Sequence, residues 1–280
     1  MRFSWESTLK IFSSLVTART WGVISLKFAV LVTCALGFGP VHAKTITIAY
    51  AGATASAAEN GVKQGIIEAN LQGEFLGVTY QLIAIADAVA PAAIVVADSD
   101  DKVFAIARKY PDMPVINIQS NSDALRAMCL PNLFHTAPSQ QMLSDALAQW
   151  RTKNPASSAQ PRAWHRKFRK YAAAQLNSRY HESFAEDMND DAWAGWAATK
   201  LLSDTLIRAP GLMNAALIEE LKTNVAFDGQ KGIDMAFRET GQLAQPLLLV
   251  EGDEIQGEAP VRGVVDITNL DSLGEVNCPK

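Results

Sequence analysis

The chain has 280 residues, 25 Lys and Arg against 29 Asp and Glu, and a formal charge of −4 at pH 7. Four of the basic residues and a single acid, Glu6, fall in the first 43 positions, so the remainder carries −7. That balance argues against nucleic acid or an anionic membrane surface as a main partner, and the length suits one large domain or two small ones. The leader pairs Arg2, Lys10, Arg19 and Lys27 with an apolar run at 28–38, then Gly39-Pro40 and Val41-His42-Ala43. A basic region, a short apolar core and a small-x-small site read as a signal peptide cleaved after Ala43, which places the mature chain in the periplasm. The apolar run is too short for a bilayer span, which needs about 20 residues. Cys34 lies within it and reads as an ordinary apolar-core residue, because Thr33 stands where a lipoprotein signal requires Gly or Ala.

Residues 44–51 alternate β-branched and small side chains and predict a strand. A small-residue loop, 52–56, precedes a predicted helix over 57–71 with Val62, Ile66, Ile67 and Ala69 as its apolar stripe. A second strand is expected at 78–85. The run 92–97 is wholly apolar, as in a parallel strand covered on both faces. Asp98-Ser99-Asp100-Asp101 follows, and these residue types cap and charge a helix start, here 100–110. Residues 115–119 predict another buried strand. Short β-α-β connections of this order make an α/β fold with a doubly wound parallel sheet the expected class. A helix over 139–150 comes next, then a turn-rich linker at 154–161. Helices are expected at 163–176, 179–187, 190–209 and 212–223, and strands at 232–237, 246–251 and 261–268. Two cysteines, Cys129 and Cys278, remain beyond the leader. Spacing alone leaves open whether they form a bridge or two buried thiols.

Several stretches together resemble the type I periplasmic binding proteins that serve ABC importers, and within them the group associated with PQQ-dependent alcohol dehydrogenase systems. They are Gly73-Glu74-Phe75-Leu76-Gly77; Asp123-Ala124-Leu125-Arg126 with Cys129; Leu133-Phe134-His135-Thr136-Ala137-Pro138-Ser139; and Ala163-Trp164-His165 with Gln175-Leu176-Asn177-Ser178-Arg179. Phe227-Asp228-Gly229-Gln230-Lys231, the segment 241–249, and Leu270-Asp271-Ser272-Leu273-Gly274 with Cys278 complete the order. The resemblance implies a Cys129–Cys278 disulfide. It implies a first lobe beginning at 44–138 and a return through 190–280 with hinge strands. Family members carry a second α/β lobe between the segments that end at Trp150 and begin at Ala163. Here 151–162 is only a linker, so 139–189 is expected to be a helical remnant of that lobe.

Ligands of open parallel sheets collect beyond the carboxyl ends of the strands. Three loops qualify, and within them Ser56, Asp98, Ser99, Ser120 and Ser122 are the candidate ligand-binding residues. In related binding proteins such hydroxyls and helix-start N–H groups hold a carboxylate. Asp98, Asp100 and Asp101 place negative charge there, which favours an amine or a cation. The bland reading of the same residues is helix capping. His135 stands where many relatives place an Arg between lobes, and it is the sixth candidate. His165 and His181 with nearby acids match no metal-site spacing. Trp193 and Trp196 share a helix face and read as core, or as a partner surface if the absent lobe uncovers them. No catalytic or cofactor motif is present. The expectation is a non-enzyme without cofactor that binds a small solute. Its partners would be an ABC permease or a periplasmic dehydrogenase; a homodimer through the uncovered surface is the further option.

Overall fold

Strand β1 (Lys44–Gly52) divides its side chains between two cores: Ile46, Ile48 and Tyr50 point to one face and Ala49 to the other. The computed structural model describes residues 44–278; the expected leader, 1–43, lies outside the described residues. Helix α1 (Ala57–Gly73) starts at Ser56, whose Oγ accepts the Glu59 N–H at 3.2 Å. Strand β2 (Val78–Ala84) then pairs parallel to β1 from Lys44↔Val78 to Tyr50↔Ala84. On the other side of β1 come β3 (Ala93–Ala97), β4 (Val115–Asn117) and β5 (Leu133–His135), giving a five-stranded parallel sheet in the order β2-β1-β3-β4-β5. Helices α2 (Asp100–Lys109) and α3 (Asp123–Ala127) lie between these strands in sequence.

Both faces of the sheet are covered. Alternate residues of β3 divide between two cores: Val95 joins the side of Ala58 and Val62, and Ile94 and Val96 join the side of Val103 and Leu125. The doubly wound parallel sheet expected from the short apolar runs is therefore present. Asn132 closes α2, its Nδ2 donating to the carbonyls of Ala107, Tyr110 and Met113.

Helix α4 (Gln140–Lys153) is capped by Ser139 Oγ, 3.0 Å from the Met142 N–H. The expected linker then holds a short strand, β6 (Gln160–Arg162). The helices expected at 163–176 and 179–187 are replaced by a loop and one helix, α5 (Ala173–Phe184). In that loop Asn177 Nδ2 collects the Arg166 and Phe168 carbonyls at 3.0 and 3.1 Å, so these groups bond a side chain instead of a helical ladder. Helix α6 (Asp190–Arg208) packs along α1, and α7 (Asn214–Thr223) follows.

Two antiparallel strands, β7 (Leu247–Glu251) and β8 (Glu254–Ala259), complete a second sheet of order β6-β7-β8. The strand expected at 261–268 is displaced to β8. Pro260 has no N–H to extend the ladder, and the N–H groups of Val264 and Val265 both turn back to the Val261 carbonyl. Residues 232–237 make isolated bridges, Phe227↔Met235 and Phe237↔Leu243, where a strand was expected. Cys129 and Cys278 form a disulfide across 149 positions. Trp193 and Trp196 are fully buried, Trp193 stacked on Trp164 at 5.9 Å between centroids, so they form no exposed partner surface. Among the described residues, no helix is long and apolar enough to cross a membrane.

Candidate functional site

Parallel strands end their backbones side by side, and the loops that leave them meet at one edge of the sheet. At the ends of β3 and β4 these loops form an open cleft of about 710 Å3, lined by Asp98, Ser99, Asp100, Ser120, Ser122 and Asp123 among others. Four of the six sequence candidates, Asp98, Ser99, Ser120 and Ser122, are thus brought together. Ser56 is not part of this lining; it caps α1 and lies 3.4 Å from the Tyr50 hydroxyl. His135 lies beneath the edge at 1% exposure and does not open into the cleft.

The cleft is held by its own hydrogen bonds. Asp98 accepts the Ser99 N–H at 2.7 Å and Lys102 Nζ at 2.8 Å. Those bonds, the Lys102 contact first, hold its carboxyl below the usual range. Ser120 Oγ donates to Asp100, joining the two loops. Ser99 and Ser122 occupy N-cap positions without making a side-chain cap, which leaves their hydroxyls uncommitted to the helices. The lining contains three carboxylates and no Lys or Arg. Behind the same edge, burial raises the carboxyl of Asp191, with Asp190 beside it adding to the effect. Tyr50 is also raised, by burial first and then by the charges of Glu59, Asp191 and Asp98. A field of this sign favours a cationic group over an anion.

Two buried residues that sequence reasoning did not single out shape the loop 118–122. Asn117 Oδ1 accepts the N–H groups of Gln119 and Ser120, and its Nδ2 donates to the Ser120 carbonyl. Arg126, at 3% exposure, donates from Nη1 to the carbonyls of Ser120 and Ser122 and from Nη2 to Ala137. Its Nε reaches Gln242 Oε1 at 2.7 Å. Burial pushes the Arg126 guanidinium down to about 9, with Asp123 and Asp100 opposing. One signal for Asn117 was available: it is a polar side chain inside an otherwise apolar strand. Arg126 stood in a stretch that carries the family resemblance, but its burial and role were not readable there, since its partners come from three separate segments.

Because the Asn117 amide is oriented by two backbone N–H groups, its Nδ2 must donate to His135 Nδ1, 3.0 Å away. His135 is therefore neutral, with its proton on Nε2, an atom that has no hydrogen-bond partner among the described residues. Burial, reinforced by Arg126, places its pKa well below 6.5. A folded value below the unfolded one means that stability is present above about pH 6.5 and is lost as pH falls beneath it, by at most about 1.4 kcal/mol per pH unit. Urea titrations between neutral and mildly acidic pH should show this slope, and His135→Gln should flatten it. An unchanged slope in the variant would place the effect elsewhere.

His165 Nε2, on a half-buried ring, lies 3.4 Å from Asp253, and the exposed His181 has its Nδ1 3.3 Å from the Glu186 carbonyl. Among the described residues no three His, Cys, Asp or Glu side chains are placed to hold a metal ion.

No family model and no curated protein matches the chain. Solved structures do. A leucine binding protein, LivK, from Thermotoga maritima matches at 13% identity and a TM-score of 0.60, over 77% of this chain and 98% of that one. This is the fold of the type I periplasmic binding proteins. An ABC transporter substrate-binding protein from Desulfitobacterium hafniense, in complex with Leu, matches at 12% identity and 0.60, over 76% and 99%. A solute binding protein of an ABC transporter from Rhodopseudomonas palustris, in complex with 3,4-dihydroxybenzoic acid, matches at 8% and 0.60, over 76% and 94%. These neighbours are binding proteins rather than enzymes, and at such identities the likeness establishes the fold.

Proposed function

We propose that the chain is a periplasmic solute-binding component of an ABC import system, exported by its leader and cleaved after Ala43. It holds a small polar solute with a cationic group, such as an amine or an amino acid, at the strand edge and delivers it to a permease. The convergence of Asp98, Ser99, Ser120 and Ser122 in one acidic cleft at the carboxyl ends of β3 and β4 carries this reading. Binding of amino acids by structural neighbours supports it. In the role proposed here, Ser99 and Ser122 hydrogen-bond the solute and Asp98 and Asp100 receive its positive end. Ser56 and His135 act one step away, by fixing the start of α1 and the Asn117 loop. The finer assignment, to an importer linked to PQQ-dependent alcohol oxidation, is carried by the sequence stretches alone. So is the absence of most of the second lobe, which would leave the solute more exposed than in a two-lobed clamp.

A thermal-shift screen of the purified protein tests the reading. A solute present at 100 times its Kd adds about 2.7 kcal/mol, or roughly 5–10 °C in a domain of this size. Amino acids and primary amines should give such shifts, and Asp98→Asn with Asp100→Asn should abolish them. No shift with amines, amino acids, alcohols, aldehydes or short acids would sink the proposal.

A second reading, an accessory protein that docks on a dehydrogenase, a permease or its own copy, is favoured by one observation. Ile67, Leu71, Phe75 and Leu76 form an exposed apolar row at the end of α1, with Phe75 90% exposed. Concentration-dependent association on a sizing column, lost in Phe75→Asp, would favour it.

A further inference from the structure

A cavity of about 360 Å3 shares no residue with the strand-edge cleft and has the opposite electrical character. Its charged lining consists of Lys170, Lys231 and Arg262 against one carboxylate, Glu258. Lys170 is taken up by an ion pair with Glu258. Lys231 is 4% exposed, and its partners are all neutral: Gln245 Oε1 at 2.8 Å, the Pro246 carbonyl at 3.0 Å and the face of the Trp193 ring at 3.8 Å. Arg262 is exposed and makes no ion pair among the described residues. Burial pushes the Lys231 ammonium well below its ordinary pKa, with Asp190 and Glu258 opposing, so Arg262 is the cation of this lining that stays charged without a carboxylate partner among the described residues. Arg262 sets a positive potential there, and an anion bound beside Lys231 would favour the charged form of that lysine.

Apart from Thr268, the side chains of the remaining wall are apolar or aromatic, with Ile233, Pro246, Pro260 and Ile267 beside Tyr171. Tyr171 is 48% exposed and occupies left-handed backbone, φ +52, as does the next residue, Ala172, φ +67. Side chains avoid this region, and residues held in it need surrounding contacts to keep them there. Gly232 supplies one: a Cβ at that position would stand 2.3 Å from the tyrosine ring, so only glycine lets the ring lie where it does. The aromatic face is built into the cavity wall at a conformational cost.

We propose that this cavity binds a small organic anion, a carboxylate with an apolar or aromatic body, at a site separate from the strand-edge cleft. The charged end meets Arg262 and Lys231, while the body lies against Tyr171, Ile233 and Pro260. The volume falls in the range of small-ligand sites.

Titration calorimetry on the purified protein tests it, with sodium benzoate as the probe. Sodium acetate serves as the anion without a body, and benzylamine as the body with the wrong charge. Benzoate should bind saturably, acetate at least tenfold more weakly, and benzylamine should not displace benzoate. Arg262→Glu should weaken benzoate at least tenfold, and Tyr171→Ala should weaken it independently of any charge change. Asp100→Asn, in the other cleft, should leave benzoate binding unaltered. Absence of saturable benzoate binding overturns the proposal. So does binding that survives both Arg262→Glu and Tyr171→Ala, or binding lost in Asp100→Asn instead.

Discussion

Replacing Gly61 by valine is expected to cost about 3–5 kcal/mol, enough to leave a marginally stable domain mostly unfolded. A Cβ at Gly61 would stand 1.9 Å from the Ala192 carbonyl oxygen and 2.6 Å from its carbon, both backbone atoms of α6. The reciprocal contact is as close: a Cβ at Gly195 would meet the Ala58 carbonyl at 2.5 Å and the Val62 nitrogen at 3.0 Å. The obstacle is main chain, so no rotamer change relieves it and the two helices must separate. Separation would uncover Trp193 and Trp196, which are among the largest fully buried side chains. It would also shift the start of α1, and with it Ser56 and the strand edge. Urea unfolding followed by tryptophan fluorescence is the measurement. Leu71→Ala, at an exposed position of the same helix, should change stability by no more than about 0.5 kcal/mol. A Gly61→Val protein with the parent midpoint would show that α1 and α6 do not meet as described.

Opening the Cys129–Cys278 bridge is expected to cost about 2–5 kcal/mol, a drop of roughly 4–20 °C in Tm. The bridge closes a loop 149 positions long, and removing so long a constraint returns much conformational entropy to the unfolded chain. It also secures a tail that would otherwise depend on a few bonds. Arg238 donates to the carbonyls of Leu270 and Leu273, the Gly274 N–H reaches Asp145, and the Cys278 N–H reaches Glu239 at 2.9 Å. Thermal unfolding with and without reductant, together with Cys278→Ser, measures the effect. Amide exchange should rise first in the tail from Leu270 to Cys278. Identical melts in oxidised and reduced protein would mean that the bridge carries no stability.

The parts of the fold legible in sequence were those whose cause is local. The runs at 92–97 and 115–119 announced parallel strands because a strand covered on both faces reads as a nearly continuous apolar run, broken here at Asn117. Ser56 and Ser139 announced helix starts because a capping oxygen must sit at the first turn. Strand β8 went unread because its charges, Glu254 and Glu258, serve surface pairs with Lys167 and Lys170, and its pattern has no long apolar run. The signal was the Gly252-Asp253 pair, a two-residue turn after β7. Strand β5 is three residues long and is defined by its neighbour β4, so nothing in its own composition separates it from a loop.

At the strand edge the division is similar. Asp98, Ser99, Ser120 and Ser122 could be named from the sequence, because a parallel sheet obliges the loops after its strands to converge. Burial decided the rest. His135 had the residue type of a binding group, yet packing sealed it behind Asn117, and the backbone amides that orient Asn117 determined which nitrogen keeps the proton. The charge of residues 44–280 was readable as a sum, but its sorting into an acidic cleft and a basic cavity was not, because the cavity gathers residues from 170 to 268. Alone, the sequence determined four of the five parallel strands, the starts of α1, α2, α4 and α6 and, by resemblance, the cysteine pair, since local patterning and chain order suffice for these. Tertiary structure decided which polar groups face solvent and which lie buried without a partner charge, because that depends on segments brought together only by folding.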